Sequence, residues 1–358
     1  MPTLFNGTLN SNEIMGSIYN MIISQQVFGS PIHGAFGKLS DQFRTEGGLY
    51  GDMALFYSTD ALKSYPWEND AEAANLLALD RAPEPKCQKI QLDKFRQIRL
   101  TVDNYLSKRA WGDEYAFSSF MSVMESWIQN TKRIYDATLV NSYVGTNVAE
   151  KTAENVKITL PTNDNPEVQA RLRAQTIANT LADLTVDLSD VSRDYNDYGF
   201  LRSYDTNDMM IVWNSAYKNK ILNIDLPTLY HQDEVKKMVA GETLPSRYFG
   251  TVNKSGGTTS GANKTIRSLV EKDFGGIHCL PGDLLPSNAQ YEANETYTHD
   301  AKIICKVCHK NGVKFMSAFQ TQTDFFNPRS LTETHFLTFG YADPQYLYEF
   351  PFITIKEA

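Results

Sequence analysis

The chain has 358 residues, and its hydrophobic share of 42% is enough to bury a core in one large domain or in about two or three smaller ones. Its 34 basic and 42 acidic residues give a net charge of −8, which excludes a general basic field for nucleic acid or acidic lipid. No apolar run reaches the roughly 18 to 20 residues of a membrane helix, and the first residues lack the pattern of a signal peptide. Four scattered cysteines are too few for a disulfide framework. We therefore expect a globular cytoplasmic protein with reduced thiols.

The first third of the chain predicts one helix followed by two strands. Residues 11–28 carry apolar side chains at helical spacing behind a Ser11 cap. The segment GDMALFYSTD (51–60) predicts a strand, and the alternation of apolar and polar residues from Ile90 to Val102 predicts a second one. A polar stretch, residues 61–85, separates them. Two strands joined by so long an excursion predict a hairpin arm, because long loops in compact domains usually serve a function.

The longest helical pattern runs from Gly112 to Val144, with Gly145 as its stop. Its apolar residues are spaced by threes and fours, which is the spacing of one helix face. About 30 residues at 1.5 Å each make a rod of roughly 45 Å, well above the average helix of about 11 to 12 residues. We expect this helix to act as a backbone for the other elements.

The middle of the chain alternates strand and helix patterns. The segment NVKITLP (155–161) predicts a short strand, and residues 166–184 predict a helix with an apolar stripe. The segment SRDYNDYGFLRSY (192–204) then leads to a continuous apolar strand from Met209 to Trp213 and a short helix, SAYKNKIL (215–222). This order predicts a mixed α/β layer.

The last hundred residues predict a mobile loop and several strands. Residues 250–265 are rich in Gly, Ser and Thr and predict an exposed flexible loop. The strand patterns AKIICKVC and VKFMSAF flank HKNG (309–312), whose Asn311-Gly312 pair favours a tight reversal. A final strand pattern, YEFPFITI (348–355), follows near the end.

The motifs that could carry chemistry are all incomplete. A phosphate-binding loop needs G-x-x-x-x-G-K-[ST], but Ala262 stands where the lysine belongs after Gly261. The pattern CKVCH (305–309) matches haem attachment, yet in a strand Cys305 and Cys308 point to opposite faces. A zinc site there would need further ligands from elsewhere, and no second closely spaced pair exists. The sequence therefore predicts no catalytic residue, no cofactor and no bound metal.

Three segments carry a resemblance to a known family: SRDYNDYGFLRSY (192–204) with NDMMIVWNSAYKNKILNIDLPTLY after it, RAWGDEYAFSSF (109–120), and FFNPRSL (325–331). In this order they resemble the major capsid proteins of tailed bacteriophages with the Hong Kong 97-like fold. The closest similarity is to short-tailed phages of the Picovirinae kind and to crAss-like phages. The resemblance spans most of the chain.

The resemblance implies an α+β fold of five parts. These are an N-terminal arm (1–47), an E-loop hairpin (48–102), a peripheral domain with the spine helix (103–150), an axial domain (151–300) and a return to the peripheral domain with the C-terminal strands (301–358). Ser11 to Phe28 would lie in the N-terminal arm. Some relatives carry an additional immunoglobulin-like domain or a built-in scaffold helix, and neither pattern occurs here. The resemblance therefore implies a separate scaffolding protein.

The implied function is structural. The chain would self-associate into hexamers and pentamers of an icosahedral virion shell around double-stranded DNA, with a portal protein at one vertex. It would be made in the cytoplasm of a host bacterium, bind the packaged DNA without sequence specificity and require no membrane. The E-loop tip would lie across a neighbouring subunit, with Tyr65 and Trp67 as candidate anchors. The alternative for these two aromatic residues is packing under their own loop.

Two other functions remain open at this point. Encapsulin nanocompartments share the fold but enclose cargo enzymes, and neighbouring phage or scaffold genes would separate that role from a virion shell. A soluble enzyme that uses a nucleotide or a metal, with residues 250–265 at its site, is the alternative from another class.

Overall fold

The structure is a computed structural model that describes residues 37–45, 47, 51–65, 79, 81–92, 94–103, 114–145, 154–222, 241–254, 272–274, 277–279 and 295–358. The predicted helix over residues 11–28 and most of the loop over residues 250–265 lie outside these ranges.

The described residues form four α-helices and sixteen strands. The helices are α1 (Lys38–Phe43), α2 (Glu114–Gly145), α3 (Pro166–Ser189) and α4 (Ser215–Leu222), and short 3-10 turns cover Thr206–Asp208 and Ser246–Tyr248. The strands are β1 (Arg44–Thr45), β2 (Met53–Ser58), β3 (Lys86–Gln91), β4 (Lys94–Asp103), β5 (Asn155–Ile158), β6 (Met209–Asn214), β7 (Glu242–Leu244), β8 (Gly250–Lys254), β9 (Lys272–Phe274), β10 (Ile277–Cys279), β11 (Glu295–His299), β12 (Ile303–His309), β13 (Val313–Asn327), β14 (Thr332–Tyr341), β15 (Gln345–Tyr346) and β16 (Phe352–Glu357).

A mixed sheet forms the centre of the molecule, with the strand order β5-β16-β12-β6-β7. All residues of β12 and β6 are buried, as expected for apolar strands that are covered on both faces. On one face, Ile211 and Trp213 pack with Ile177 and Leu181 of α3. This arrangement confirms the buried strand that the sequence predicted from Met209 to Trp213.

The other face of the central sheet packs against the long helix. Val212 and Cys308 share one core cluster with Tyr143 and Val144 near the end of α2, whereas Cys305 lies in the cluster beside α3. The two cysteines therefore point to opposite faces, as their spacing predicted.

One charged side chain is fully buried in this sheet. Lys306 of β12 donates a hydrogen bond to the hydroxyl of Thr354, and its ammonium lies 4.3 Å from the centre of the Phe352 ring. The carboxylate of Glu154 is buried nearby and opposes the effect of burial. Because burial disfavours the charged form, the pKa of Lys306 is lowered to about 7.

A second sheet lies beside the first and has the order β1-β13-β14-β4, with β15 also paired to β13. Its main feature is the antiparallel hairpin of β13 and β14, whose register runs from Ser317 opposite Tyr341 to Asn327 opposite Thr332. Leu331, in the turn at its far end, has a positive φ of 55°. We call this the outer sheet.

The helix predicted from Gly112 to Val144 is confirmed as α2, which ends at Gly145. A side-chain carbon at Gly145 would lie 2.1 Å from the carbonyl oxygen of Tyr248, so the close approach of that backbone requires a glycine. The hydroxyl of Tyr135 on α2 donates to that of Tyr341 on the outer sheet at 2.9 Å. The helix thus contacts both sheets through one core cluster.

The predicted tight reversal at HKNG is present, but it does not make a hairpin. The amide of Gly312 donates to the carbonyl of His309 at 2.8 Å, and the His309 ring stacks on Phe350. The strand before the turn, β12, pairs with β6 and β16, whereas the strand after it, β13, pairs with β14, β15 and β1. The chain therefore passes from the central sheet to the outer sheet within four residues.

The predicted hairpin arm is also present, and β2 and β3 pair antiparallel from Met53 opposite Gln91 to Ser58 opposite Lys86. The pattern from Ile90 to Val102, expected as one strand, divides into β3 and β4. Leu92 is fully buried and closes the arm through a hydrogen bond to Asp52, after which β4 joins β14 of the outer sheet. Segment 301–358 likewise supplies strands to both sheets: β12 and β16 to the central sheet, and β13, β14 and β15 to the outer sheet.

Candidate assembly surface

The arm, residues 51–92, presents two different faces because side chains alternate along its strands. On the inner face, Ile90 is buried, and Ala54 and Phe56 pack with it against Met316 and Leu347 of the body. On the outer face, Met53, Leu55 and Tyr57 form a row with exposed fractions of 54%, 48% and 64%. We call these three residues the outer row.

The arm as a whole concentrates exposed apolar side chains. Of the fifteen large hydrophobic residues that are exposed in the described part of the chain, six lie on the arm. They are Met53, Leu55, Tyr57, Leu62, Tyr65 and Leu79. Scattered surface residues need no explanation, but a concentration of this kind marks an interaction site.

The two anchors suggested by the sequence are placed only in part. Tyr65 has an exposed fraction of 64%, and most of the loop that follows it lies outside the described residues. Trp67 lies outside the described residues. Their contact with another subunit stays a prediction.

The end of β2 that leads into the excursion is held by a closed loop, residues 192–202, which we call the root loop. Ser192 and Arg202 exchange two backbone hydrogen bonds, of 2.9 and 3.0 Å, where the loop closes. Inside it, the fully buried side chain of Asn196 donates to the carbonyl of Phe200 and accepts from the Phe200 amide, at 2.7 and 2.8 Å. These local bonds fix the loop without a helix or strand.

Two arginines of the root loop bind the last residue of β2 and the two residues that follow it. The guanidinium of Arg202 donates to the hydroxyl of Ser58 at 3.2 Å, to the carbonyl of Thr59, and to the carboxylate of Glu349 at 3.1 Å. Arg193 donates to the Asp60 carboxylate at 2.7 Å. A guanidinium suits this role because its planar fork holds several acceptors at once.

Asp60 is the acceptor on the arm side. Its carboxylate receives the amide of Leu201 at 2.9 Å, the guanidinium of Arg193 and the amide of Ala61. The Leu201 amide and then the Arg193 guanidinium lower the pKa of Asp60 to about 2, because both stabilise the charged form. The Asp60 carboxylate is therefore charged, and accepts these hydrogen bonds, at any pH well above that value.

The other strand of the arm, β3, is also attached to the body, through Gln88 opposite Phe56. The side chain of Gln88 on β3 donates to the carbonyl of Tyr346 and accepts from the amide of Tyr348, both at 2.9 Å. The amide of Asp197 in the root loop donates to the carbonyl of Tyr348 at 2.8 Å. Both strands of the arm and the root loop thus meet at one site on the body.

The sequence pointed to the segment 192–204 but not to its role. Arg193, Arg202, Asp60 and Gln88 were not among the candidate residues. Asn, Asp and Gly residues in a short segment indicate a structured loop, and two arginines in it could bind carboxylates or carbonyl groups elsewhere. Only the tertiary structure shows that these acceptors lie on the arm.

The described residues offer little chemistry beyond this. They contain no group of three or more His, Cys, Asp or Glu residues that could hold a metal ion. Burial raises the pKa of the Cys308 thiol to about 12, and that of Cys305 is raised by the same cause, so these thiols are unreactive at neutral pH. Among the described helices, none is long and apolar enough to cross a membrane.

Comparison with known structures shows the fold. The chain is similar to one in the capsid structure of Staphylococcus phage Andhra, with a TM-score of 0.63 and 12% identity over 93% of this chain and 87% of that one. It is similar to one in the structure of the head fiber and inner core protein of native bacteriophage P68, with a TM-score of 0.62 and 12% identity over 99% and 92%. For the capsid of cyanophage P-SCSP1u the TM-score is 0.51, with 14% identity over 93% and 92%. The predicted α+β fold of the Hong Kong 97-like type is confirmed.

Comparison at the level of sequence gives the family. The search of curated proteins finds no match. The family model described as Phi29-like phage major capsid protein matches residues 4–341. Because this match spans nearly the whole chain, the chain belongs to the Phi29-like phage major capsid proteins and is a structural subunit of a phage capsid.

Proposed function

We propose that this subunit builds the icosahedral head of a short-tailed phage and encloses its double-stranded DNA. The family match over residues 4–341 is the observation that carries the proposal. Copies associate as hexamers and pentamers around a separate scaffolding protein, and a portal protein replaces one pentamer. The match to a phage family favours this role over a cargo-filled compartment.

The subunit contacts of the shell are heterologous, since the arm of one copy lies on a different surface of the next copy. Such contacts form rings when the repeated rotation from one copy to the next closes on itself, as it does in a hexamer or a pentamer. The exposed side chains of the arm support this, and Tyr65 and Trp67 at its tip are the proposed anchors on the neighbouring subunit.

The proposal includes a lumen that holds DNA without reading its sequence. The net charge of −8 supports this, because sequence-specific binding depends on clustered Arg and Lys residues. The subunit carries out no catalysis and needs no cofactor. It is synthesised in the cytoplasm of the host bacterium and reaches its place in the virion by assembly.

We propose the five-part division expected from the sequence with one change, which concerns strands within residues 301–358. The central sheet with α3 corresponds to the axial domain, and α2 with the outer sheet to the peripheral domain. The strands β12 and β16, which follow residue 300, then belong to the axial sheet, so the polypeptide returns to that domain near its end.

Deletion of residues 64–82 tests the function of the arm. We expect the shortened subunit to be soluble and folded, with the central sheet intact, and to give no shells by electron microscopy when it is expressed with the neighbouring phage genes. The control is the full-length chain under the same conditions. Normal particles from the shortened subunit would contradict the proposed role of the arm.

A further inference from the structure

We propose that His309 is a pH-sensitive switch, whose neutral ring holds the junction between the central and outer sheets and whose protonated ring releases it. The junction consists of residues 309–312 together with Leu347 and Phe350, which contact them. This inference concerns the free subunit and does not depend on the proposed function.

The buried side chain of His309 accepts a hydrogen bond inside the turn. Its Nδ1 atom lies 3.0 Å from the amide nitrogen of Asn311, which donates to it. A ring nitrogen accepts a hydrogen bond only while it carries no proton, so this bond requires the neutral imidazole with its proton on Nε2. In the imidazolium both ring nitrogens are donors. Protonation therefore replaces the hydrogen bond with two N–H groups that face each other.

His309 also connects the turn to the segment that follows β15. Its carbonyl accepts the amide of Gly312 at 2.8 Å, and the carbonyl of Gly312 accepts the amide of Leu347 at 2.6 Å. The ring of Phe350 stacks on the His309 ring, with 4.3 Å between the ring centres and an angle of 21° between the planes. The end of β12 and the segment 347–350 thus meet at this one residue. A change at its ring weakens contacts on both sides of the junction.

The surroundings of His309 favour the neutral ring. Burial lowers the pKa of His309, because the charged form loses its hydration. Three charged side chains from neighbouring segments also act on the ring: Asp208 before β6, Lys310 in the turn and Lys314 on β13. The carboxylate opposes the effect of burial, and the two ammonium groups add to it. Glu349, next to Phe350, is bound by Arg202.

The lowered pKa of His309 sets the direction of the pH dependence. As the pH falls, the folded chain takes up this proton later than the unfolded chain does. The contacts of the neutral ring are therefore complete above the ordinary histidine pKa of about 6.5 and are lost as the pH falls through the lowered pKa of the folded state. The junction should be closed at neutral pH and should open in mild acid.

Hydrogen exchange of the unchanged free subunit tests the switch. Mass spectrometry follows exchange in a peptide that covers residues 310–313, and each rate is compared with the intrinsic rate at the same pH. Protection of this peptide should fall about threefold to tenfold from about pH 7.5 to about pH 5, as expected for the loss of one hydrogen bond. A peptide that contains Leu347 should change with it. Residues 303–308, in β12, should keep their protection.

Two substitutions separate the acceptor from the ring. In His309→Asn the side-chain oxygen takes the place of Nδ1 along the side chain, and it accepts the Asn311 amide without titrating in this range. Protection should then be the same at both pH values. In His309→Phe the ring can still stack on Phe350 but has no acceptor, so residues 310–313 should exchange about threefold to tenfold faster at both pH values. Melting temperatures at neutral pH show whether each variant is folded.

The matched control is the same substitution at a second buried histidine, His335→Asn. His335 lies near the far end of the hairpin of β13 and β14, where its Nδ1 atom is 2.7 Å from the carboxylate of Asp324. This variant should keep the pH-dependent loss of protection in residues 310–313.

Three outcomes would overturn the inference. Equal protection of residues 310–313 at both pH values in the unchanged subunit would show that the ring does not control the turn. The same loss of protection in His309→Asn would assign the pH dependence to another group. A loss that extends equally to residues 303–308 would be a general loosening of the subunit. The proposed function stands in each case, because none of these measurements concerns shell formation.

Discussion

The central sheet and the arm are built from similar strands and differ in how they are covered. Every residue of β12 is buried between α3 on one face and α2 on the other, whereas β2 buries one face and leaves Met53, Leu55 and Tyr57 exposed. This difference in burial indicates a different role for each of the two regions. The buried core of the subunit lies at the central sheet, and the arm exposes the apolar surface that we propose for contacts with other subunits.

A substitution in the central sheet should lower the stability of the subunit the most. Trp213→Ala removes a side chain that is 1% exposed, and it should lower the free energy of unfolding by about 3 to 5 kcal/mol. Urea denaturation of free subunits measures the loss. The control in the arm is Tyr57→Ala, which should change stability by less than about 0.5 kcal/mol. Equal losses at the two positions would remove the distinction between a stabilising sheet and a binding arm.

The buried Lys306 should make the central sheet sensitive to pH in a way that the arm is not. Its pKa is lowered in the folded state, so folding releases its proton between pH 7 and the ordinary pKa of lysine. Lys306 should therefore make stability rise with pH between about 7 and 8.5, by up to about 1.4 kcal/mol per pH unit, and its full penalty should remain below pH 7. Above about pH 8.5 the buried thiols of Cys305 and Cys308 oppose this rise, because their pKa values are raised in the folded state and unfolding lets them lose their protons.

The variant Lys306→Met isolates this contribution. It should be more stable than the unchanged subunit at pH 6.5 and should lack the rise between pH 7 and about 8.5. Denaturation of both proteins at several pH values up to about 8.5 measures both effects, below the range in which the thiols and tyrosines of the unfolded chain lose most of their protons. An unchanged slope in the variant would show that Lys306 is not its source.

A substitution in the root loop should cause a smaller loss of stability. Arg202→Met keeps the aliphatic stem but removes the hydrogen bonds to Ser58, Thr59 and Glu349, and it should lower stability by about 1 to 3 kcal/mol. Hydrogen exchange should become faster at the amides of β2 and β3 and stay the same in β12. The exposed Arg171 of α3 offers the matched control, Arg171→Met. Faster exchange across the central sheet would show that the root loop supports the whole body.

The smallest expected loss of stability comes from a residue that lies outside both the central sheet and the arm. Asn165 caps α3 by accepting the amide of Glu167 at 3.0 Å, and Asn165→Ala should lower stability by about 1 kcal/mol. The melting temperature of free subunits measures it, and shell yield should be unaffected. A loss of shells at unchanged stability would extend the assembly surface to this end of α3.

Much of the fold could be predicted from local patterns, and the assembly site could not. The spacing of apolar residues predicted α2 and the stop at Gly145, and the continuous run from Met209 to Trp213 predicted a buried strand, because burial imposes these periods on a sequence. The arm followed from two strand patterns and a long excursion. Tyr65 was selected as a candidate anchor on a neighbouring subunit, and this contact stays a prediction; the side chain itself is exposed.

What the sequence missed depends on contacts between distant segments. Arg202 and Ser58 are 144 positions apart, and Gln88 and Tyr346 are 258 apart. No local period reports such pairs. The turn at HKNG shows the same limit, because Asn311 and Gly312 predict a reversal but do not specify which strands its two ends will join.

That turn has a mechanical consequence for a shell. The four residues from His309 to Gly312 connect the central strand of one sheet to the longest strand of the other, and they are tied down by the Gly312 amide, the stacked Phe350 ring and a bond from Leu347. Because the connection is short and held by these contacts, a change in the angle between β12 and β13 would have to break them. We therefore expect the two strands to keep their relative orientation when a subunit is placed in a shell.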